Sequence, residues 1–180
     1  MPRYVALLRG INVGGHRKVP MARLREVLGE AGFDDVTTYL QSGNAVVTAP
    51  EADPQVVAGR IEEAIAGAFG FEVDVLVRSG AELTAVIAAN PFAEQAATDP
   101  TRVHASFLAD QLDPTTLDEL ETGRFAPEEV VAGDRVLYLH LPDGIGRSKL
   151  AAALTDRRLG TLATARNWRT VEALADLLAP

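Results

Sequence analysis

The order of patterned segments predicts an α+β fold built on antiparallel sheet, and three observations carry that prediction. Tyr4 to Leu8 is a continuous apolar run, the mark of a strand buried on both faces and central in its sheet. From there to Arg78, strand-like and helix-like segments follow in the order β-α-β-β-α-β. In the second half, Gly133-Asp134 stands between the strand-like segments Glu128–Val131 and Val136–Leu141, a strong hairpin signal. The expectation is two closely packed α+β subdomains. Residues 1–78 form a ferredoxin-like βαββαβ unit with an antiparallel sheet, and residues 79–180 form a second α+β unit.

Each element has a local reason. Pro20 suits the first turn of a helix whose inner face is Leu24, Val27, Leu28 and Ala31, with Gly32 as its stop. Val36–Gln41 is rich in β-branched and aromatic residues, Ser42-Gly43-Asn44 is turn chemistry, and Ala45–Thr48 is the return strand. Asp53-Pro54 opens a helix with Val57, Ile61, Ala64, Ile65 and Ala68 inside and Gly70 at its end. Val73, Val75 and Val77 alternate with Glu72, Asp74 and Arg78, which reads as a half-buried strand. Ser79-Gly-Ala-Glu82 is a capping box for a helix faced by Leu83, Val86 and Ile87, stopped at Asn90-Pro91.

Residues 93–102 read as a loop and Val103–Leu108 as a strand. A short helix starts at Asp113-Pro114 and ends near Gly123. Another runs from about Ser148 to Leu154, and a last one begins near Asn167. No internal repeat is detectable in the residues themselves.

The chain has 180 residues and a formal net charge of −8, distributed unevenly. Residues 1–25 hold six arginines and lysines and no carboxylate, residues 26–143 hold 22 acids against 5 bases, and residues 144–169 hold six bases against Asp156. Both ends are basic and the middle is acidic. There is no cysteine, which excludes a disulfide, a thiolate metal site and a thiol nucleophile and fits a cytoplasmic location. No apolar run is long enough to span a bilayer, and the N-terminal apolar run is too short for a signal-peptide core, so no membrane partner is expected.

Three stretches could bind something. In Arg9-Gly-Ile-Asn-Val-Gly-Gly15, followed by His16, Arg17 and Lys18, the glycines let backbone N–H groups approach an anion, while Arg9 and Asn12 add polar contacts. The pattern matches neither the dinucleotide-binding nor the P-loop motif, and it also suits a simple strand-to-helix connection with solvated cations. Gly144-Ile-Gly-Arg-Ser-Lys149 is a glycine turn entering a helix, an anion site in form, with Ser148 as an ordinary cap the alternative. In Thr164-Ala-Arg-Asn-Trp-Arg169, Arg166 and Arg169 would face one anion if both lay on the first helical turn. Asn167 would cap that helix, and Trp168 is expected in the core.

His16, His104 and His140 have no metal-ligand spacing, and no nucleophile elbow is present. No catalytic residue, metal ligand or cofactor is implied.

Read in order, YVALLRGINVGG, KVPMARLREVLGEAGF, VTTYLQSGN, NPF, GIGRSKL and TARNWRTV resemble the bacterial family DUF1697. The resemblance implies two α+β subdomains, the first ferredoxin-like, and no established activity. Its motifs fall on the candidate residues, including Ser42-Gly43-Asn44.

The leading expectation is therefore a small phosphate- or carboxylate-bearing ligand held in a cationic cleft between the subdomains. Its residues would be Arg9, Asn12, Gly14, Gly15 and Asn44 with Arg147, Ser148, Lys149, Arg166 and Asn167. The alternatives are a nucleic-acid-binding module, and a protein–protein adaptor in which the motifs are structural.

Overall fold

The computed structural model describes residues 1–179. By its internal contacts the chain divides into two compact units: Met1–Thr84 together with the chain from Ala173 onward, and Ala85–Glu172.

The first unit contains β1 (Arg3–Leu8), α1 (Met21–Glu30), β2 (Asp34–Tyr39), β3 (Asn44–Thr48), α2 (Pro54–Phe69) and β4 (Val75–Ser79). Its sheet has the order β2-β3-β1-β4 and every pairing is antiparallel, the ferredoxin-like arrangement. Tyr4, Ala6 and Leu8 of β1 share a buried cluster with Val47, Val75 and Val77 and with Leu24 and Leu28 of α1 and Ile61 and Ile65 of α2. Two fully buried leucines on one helical stripe, at about 1.5–3 kcal/mol each, are enough to seat α1 on the sheet. Asp53 caps α2 by accepting the Gln55 N–H, and Gly70 ends it in the left-handed region at φ 77°.

The second unit contains α4 (Ala93–Thr98), β5 (Val103–Leu108), α5 (Thr116–Glu119), β6 (Glu129–Gly133), β7 (Val136–His140), α6 (Lys149–Ala153), α7 (Asp156–Leu159) and β8 (Ala163–Asn167). The helix α3 (Gly80–Ala88) leads from the first unit into it, and α8 (Trp168–Leu178) begins in it. Its sheet is antiparallel with the order β6-β7-β5-β8. That order matches the first sheet strand for strand, so the topology occurs twice although the residues show no repeat. The buried cluster on one side of this sheet joins Leu108, Leu137 and Leu139 to Leu150 of α6 and Leu159 of α7.

Several expectations need correction. Residues 93–98 are helix, not loop. α7 and β8 were not anticipated, and Asn167 closes a strand before α8 starts at Trp168. β4 is not half-buried. Its second face, with Leu76 and Arg78, is buried as well, and Arg78 is only 3% exposed. A guanidinium normally marks the solvent side, but here its Nη1 donates to the Val77 carbonyl oxygen within the buried strand, at 3.0 Å. The capping box is present as expected. Glu82 accepts the Ser79 N–H at 2.7 Å, and the Glu82 N–H donates to Ser79 Oγ at 3.2 Å.

Candidate functional site

The loop after β1 is built from its anchors inward. Where the strand ends, the Leu8 N–H donates to the Gly43 carbonyl at 2.8 Å and the Arg9 N–H to the Asp74 carbonyl at 3.0 Å. Buried Ile11 and Val19 hold the two ends of the loop in the core. Between them the Asn12 N–H donates to the Arg17 carbonyl at 3.0 Å and the His16 N–H to the Val13 carbonyl at 3.1 Å, which closes residues 12–17 into a tight reversal.

The Asn12 side chain is fully used inside the protein. Its Nδ2 donates to the carbonyl oxygens of Val19 (3.0 Å) and Gln41 (2.7 Å), and its Oδ1 accepts the Val19 N–H at 2.8 Å. Asn12 therefore pins the loop to the β2–β3 turn. Asn44 does the same work from the other side. It is completely buried, and its Nδ2 donates to the Tyr39 carbonyl (2.8 Å) and to Ser42 Oγ (3.1 Å). Replacing Asn12 by Ala leaves three partners without their bonds, at a cost of about 1–3 kcal/mol. A thermal melt is expected to show that loss, with selective exchange broadening in the spectrum of residues 12–19 and 41.

What the pinned loop presents to water is cationic and rich in free donors. Val13 to Lys18 are all exposed, and Gly14 and Gly15 are both left-handed, at φ 60° and 76°. Among the described residues, nothing accepts a hydrogen bond from the N–H groups of these two glycines. Arg9, five residues before Gly14, has its Nη1 3.7 Å from the Asp74 carboxylate. Both side chains of that pair are partly exposed, where such a contact contributes little to stability and is readily exchanged for another anion.

In the second unit the stretch Gly144–Lys149 forms a turn of 3-10 helix (Ile145–Arg147) followed by α6. Ser148 caps α6, its Oγ accepting the Ala151 N–H at 2.8 Å. The same Oγ donates to Glu128 Oε2 at 2.5 Å, and that carboxylate oxygen also accepts the Leu150 N–H at 3.1 Å. The start of α6 is thus already occupied by a carboxylate of the protein. Arg147 and Lys149 remain exposed on either side of the buried Ser148.

Arg166 is not on the first turn of a helix, so its expected pairing with Arg169 on one helical face does not hold. It lies in β8, 8% exposed, with Nη1 donating to Thr164 Oγ1 at 2.8 Å and to the Ala165 carbonyl at 2.9 Å. Burial lowers its pKa to about 10, which still leaves it a cation at neutral pH. Asn167 Oδ1 accepts the Thr170 N–H at 3.0 Å, a cap for α8, and Trp168 is buried as expected.

Several partners in this geometry gave no signal in the sequence. Asp74 and Glu128 are isolated acids whose roles come only from the fold. Gln111 is the clearest case. Its Oε1 accepts the Arg135 N–H at 2.9 Å and its Nε2 donates to the Gly133 carbonyl at 3.4 Å, while the Leu108 N–H donates to the Arg135 carbonyl at 2.9 Å. A carboxamide from the loop after β5 therefore clamps the β6–β7 turn, as Asn12 clamps the β2–β3 turn. The buried arginines match too. Arg78 pairs with Val5 in the first sheet and Arg166 with Ala105 in the second, and each donates to the carbonyl of the residue before it.

Among the described residues no group of three or more His, Asp or Glu side chains could hold a metal ion. No helix of the described residues is long and apolar enough to cross a membrane. Tyr4, the aromatic on β1, is 1% exposed and its hydroxyl donates to the Glu51 carbonyl at 2.5 Å, so no base can stack on it.

Comparison with known proteins is consistent with this architecture. The chain is similar over 99% of its length to the conserved bacterial protein SP0830 from Streptococcus pneumoniae, also covered over 99%, with 24% identity and a TM-score of 0.75. That likeness concerns the fold alone. A search of the curated proteins finds no match. The model of the family described as protein of unknown function (DUF1697) matches residues 1–138, which include the pinned loop and the β2–β3 turn and stop before Gly144. With that match across most of its length, the chain belongs to the DUF1697 family.

Proposed function

We propose that this protein binds a small phosphate- or carboxylate-bearing molecule through the loop that follows β1. The observation that carries this is the pair Gly14–Gly15. Two consecutive left-handed residues expose N–H groups with no acceptor among the described residues, in a loop held in shape by a buried carboxamide. The surrounding charge supports it, because residues 1–25 contain no carboxylate at all. A fixed loop has already lost the entropy that ligand binding would otherwise cost, and successive backbone N–H donors in a turn favour anions.

The roles of the ten candidate residues separate on chemical grounds. Arg9, Gly14 and Gly15 supply contacts, with the anion taking the place of Asp74 at Arg9. Asn12 and Asn44 fix the loop and its neighbouring turn. Within the second unit, Arg147 and Lys149 are a separate set of exposed cations on either side of Ser148, Arg166 is a buried positive charge, and Asn167 fixes the start of α8. A cytoplasmic ligand is in keeping with the cysteine-free sequence.

A thermal-shift screen with inorganic phosphate, sugar phosphates, nucleotides and dicarboxylates tests the proposal. Stabilisation follows the logarithm of ligand over Kd, about 2.7 kcal/mol at a hundredfold excess. The expected result is a stabilising anion whose effect is lost in Arg9→Ala. No stabilisation by any anion, or stabilisation equal in Arg9→Ala and wild type, contradicts it.

A further inference from the structure

The two units repeat one topology with opposite charge at the matching end. In the first unit, residues 9–20 carry Arg9, Arg17 and Lys18 and no acid. In the second, residues 109–115 carry Asp110 and Asp113 and no base. These segments are equivalent, each being the connection that leaves the first strand of its unit and enters the following helix.

Their shapes differ as well as their charge. The first connection turns at Gly14–Gly15 with Val13 bridged to His16, and Val13 is 68% exposed, with Arg17 and Lys18 also exposed. The loop therefore offers one exposed apolar side chain and two exposed cations on a backbone held in place by Asn12. The second connection is recessed, forming a groove of about 530 Å³. Leu112, Pro114, Leu117 and Ala132 make its apolar lining, and Asp113 and Asp134 supply carboxylates. Arg135, 4.0 Å from Asp134, offsets part of that charge, and Asp113 also accepts from the Thr115 N–H and hydroxyl. The groove keeps its shape because Gln111 ties the loop to the β6–β7 turn.

We infer that the chain self-associates head to tail, the Val13–Lys18 loop of one copy entering the Leu112–Asp134 groove of another. The occupant is a second copy because the chain itself carries the complement of the groove, an exposed valine and two cations for an apolar floor with two carboxylates. A contact between different surfaces is heterologous, so it leaves a free loop and a free groove at the ends and extends beyond a dimer. The same loop carries the Gly14 and Gly15 amides of the anion site, so an anion held there is expected to compete with this contact.

Sedimentation velocity on the full chain tests this. Wild type is expected to shift to larger species with concentration at about 0.05 M salt, and to return to monomer at about 0.5 M salt as screening shortens the reach of the charges. Two charge variants should each be monomeric under the low-salt condition. One is Arg17→Glu with Lys18→Glu; the other is Asp113→Asn with Asp134→Lys, where Asn keeps an acceptor for Thr115. Mixed one to one they should associate again, because one variant retains the loop and the other the groove. Val13→Ser, which changes no charge, should weaken association about tenfold or more. Circular dichroism of each variant confirms the fold. Monomeric wild type at low salt overturns the inference. So does association that both charge variants retain, or a mixture that stays monomeric.

Discussion

Gly43→Ala is expected to be the most damaging single-methyl change in the first unit, lowering stability by about 2–4 kcal/mol. Gly43 sits at φ 94° in the turn before β3, a region that side-chain-bearing residues adopt only with strain. A Cβ there would lie 2.8 Å from Leu8 Cβ and 2.9 Å from Ile11 Cδ1, both fully packed. The Gly43 carbonyl also accepts the Leu8 N–H, so the turn cannot withdraw without giving up the exit of β1. Gly70→Ala is the control. Its φ of 77° imposes similar backbone strain, but nothing lies within 4 Å of the added methyl. Denaturant titration of both variants should show the larger loss at Gly43, and the difference measures the contact with the loop. Equal losses would mean that the turn and the loop are not packed as described.

The second large effect is on pH. His104, in β5, is 4% exposed and shares a face with Leu139, and burial lowers its pKa from 6.5 to about 4. Its Nδ1 is buried without a hydrogen-bond partner, so no neighbour offsets a positive charge there. In the unfolded chain the ring takes a proton near pH 6.5, and in the folded protein only near pH 4. Between those values the unfolded state binds more protons, so stability is complete above about pH 6.5 and falls as the pH drops toward 4. The shift corresponds to roughly 3 kcal/mol at the acid end. His104→Leu puts an apolar side chain in that buried position and removes the proton site. It is expected to flatten the stability profile of the second unit between pH 6.5 and 4, whatever its effect at pH 8. An unchanged slope would show that the buried imidazole does not control acid unfolding.

Much of the first unit was legible because its segments carry several agreeing signals. Asp53-Pro54 and Gly70 bracket α2, Ser79 and Glu82 form a true capping box, and the apolar run at residues 4–8 is a central strand. The second unit was read less well for identifiable reasons. Ala93–Thr98 buries only Ala96, too little to show a helical stripe. Asp156–Leu159 is a four-residue helix with a Thr155 cap and a Gly160 stop, shorter than any periodicity. Ala163–Asn167 contains a buried Arg and a capping Asn, so composition points away from a strand although the register with β5 is regular.

The candidate residues show the same division. Their positions mark the loops and turns that the fold is organised around, yet the sequence did not separate contact from support. Asn12, Asn44, Ser148 and Asn167 carry donors and acceptors that the backbone has already taken. Only the hydrogen-bond partners reveal that. The duplication stayed hidden for a related reason, because Asn12 and Gln111 perform one task with different side chains at different distances from their strands.

The central claim is that the Gly14 and Gly15 amides face an anion, and amide spectroscopy reads it directly. In a proton–nitrogen correlation spectrum of the labelled protein, inorganic phosphate titrated at constant ionic strength should move the Gly14 and Gly15 signals along saturating curves. Sodium chloride at the same ionic strength should not, and Arg9→Ala should weaken the response. If Gly14 and Gly15 stay in place while phosphate is raised, or move identically with chloride, the loop is a connection and not a binding site.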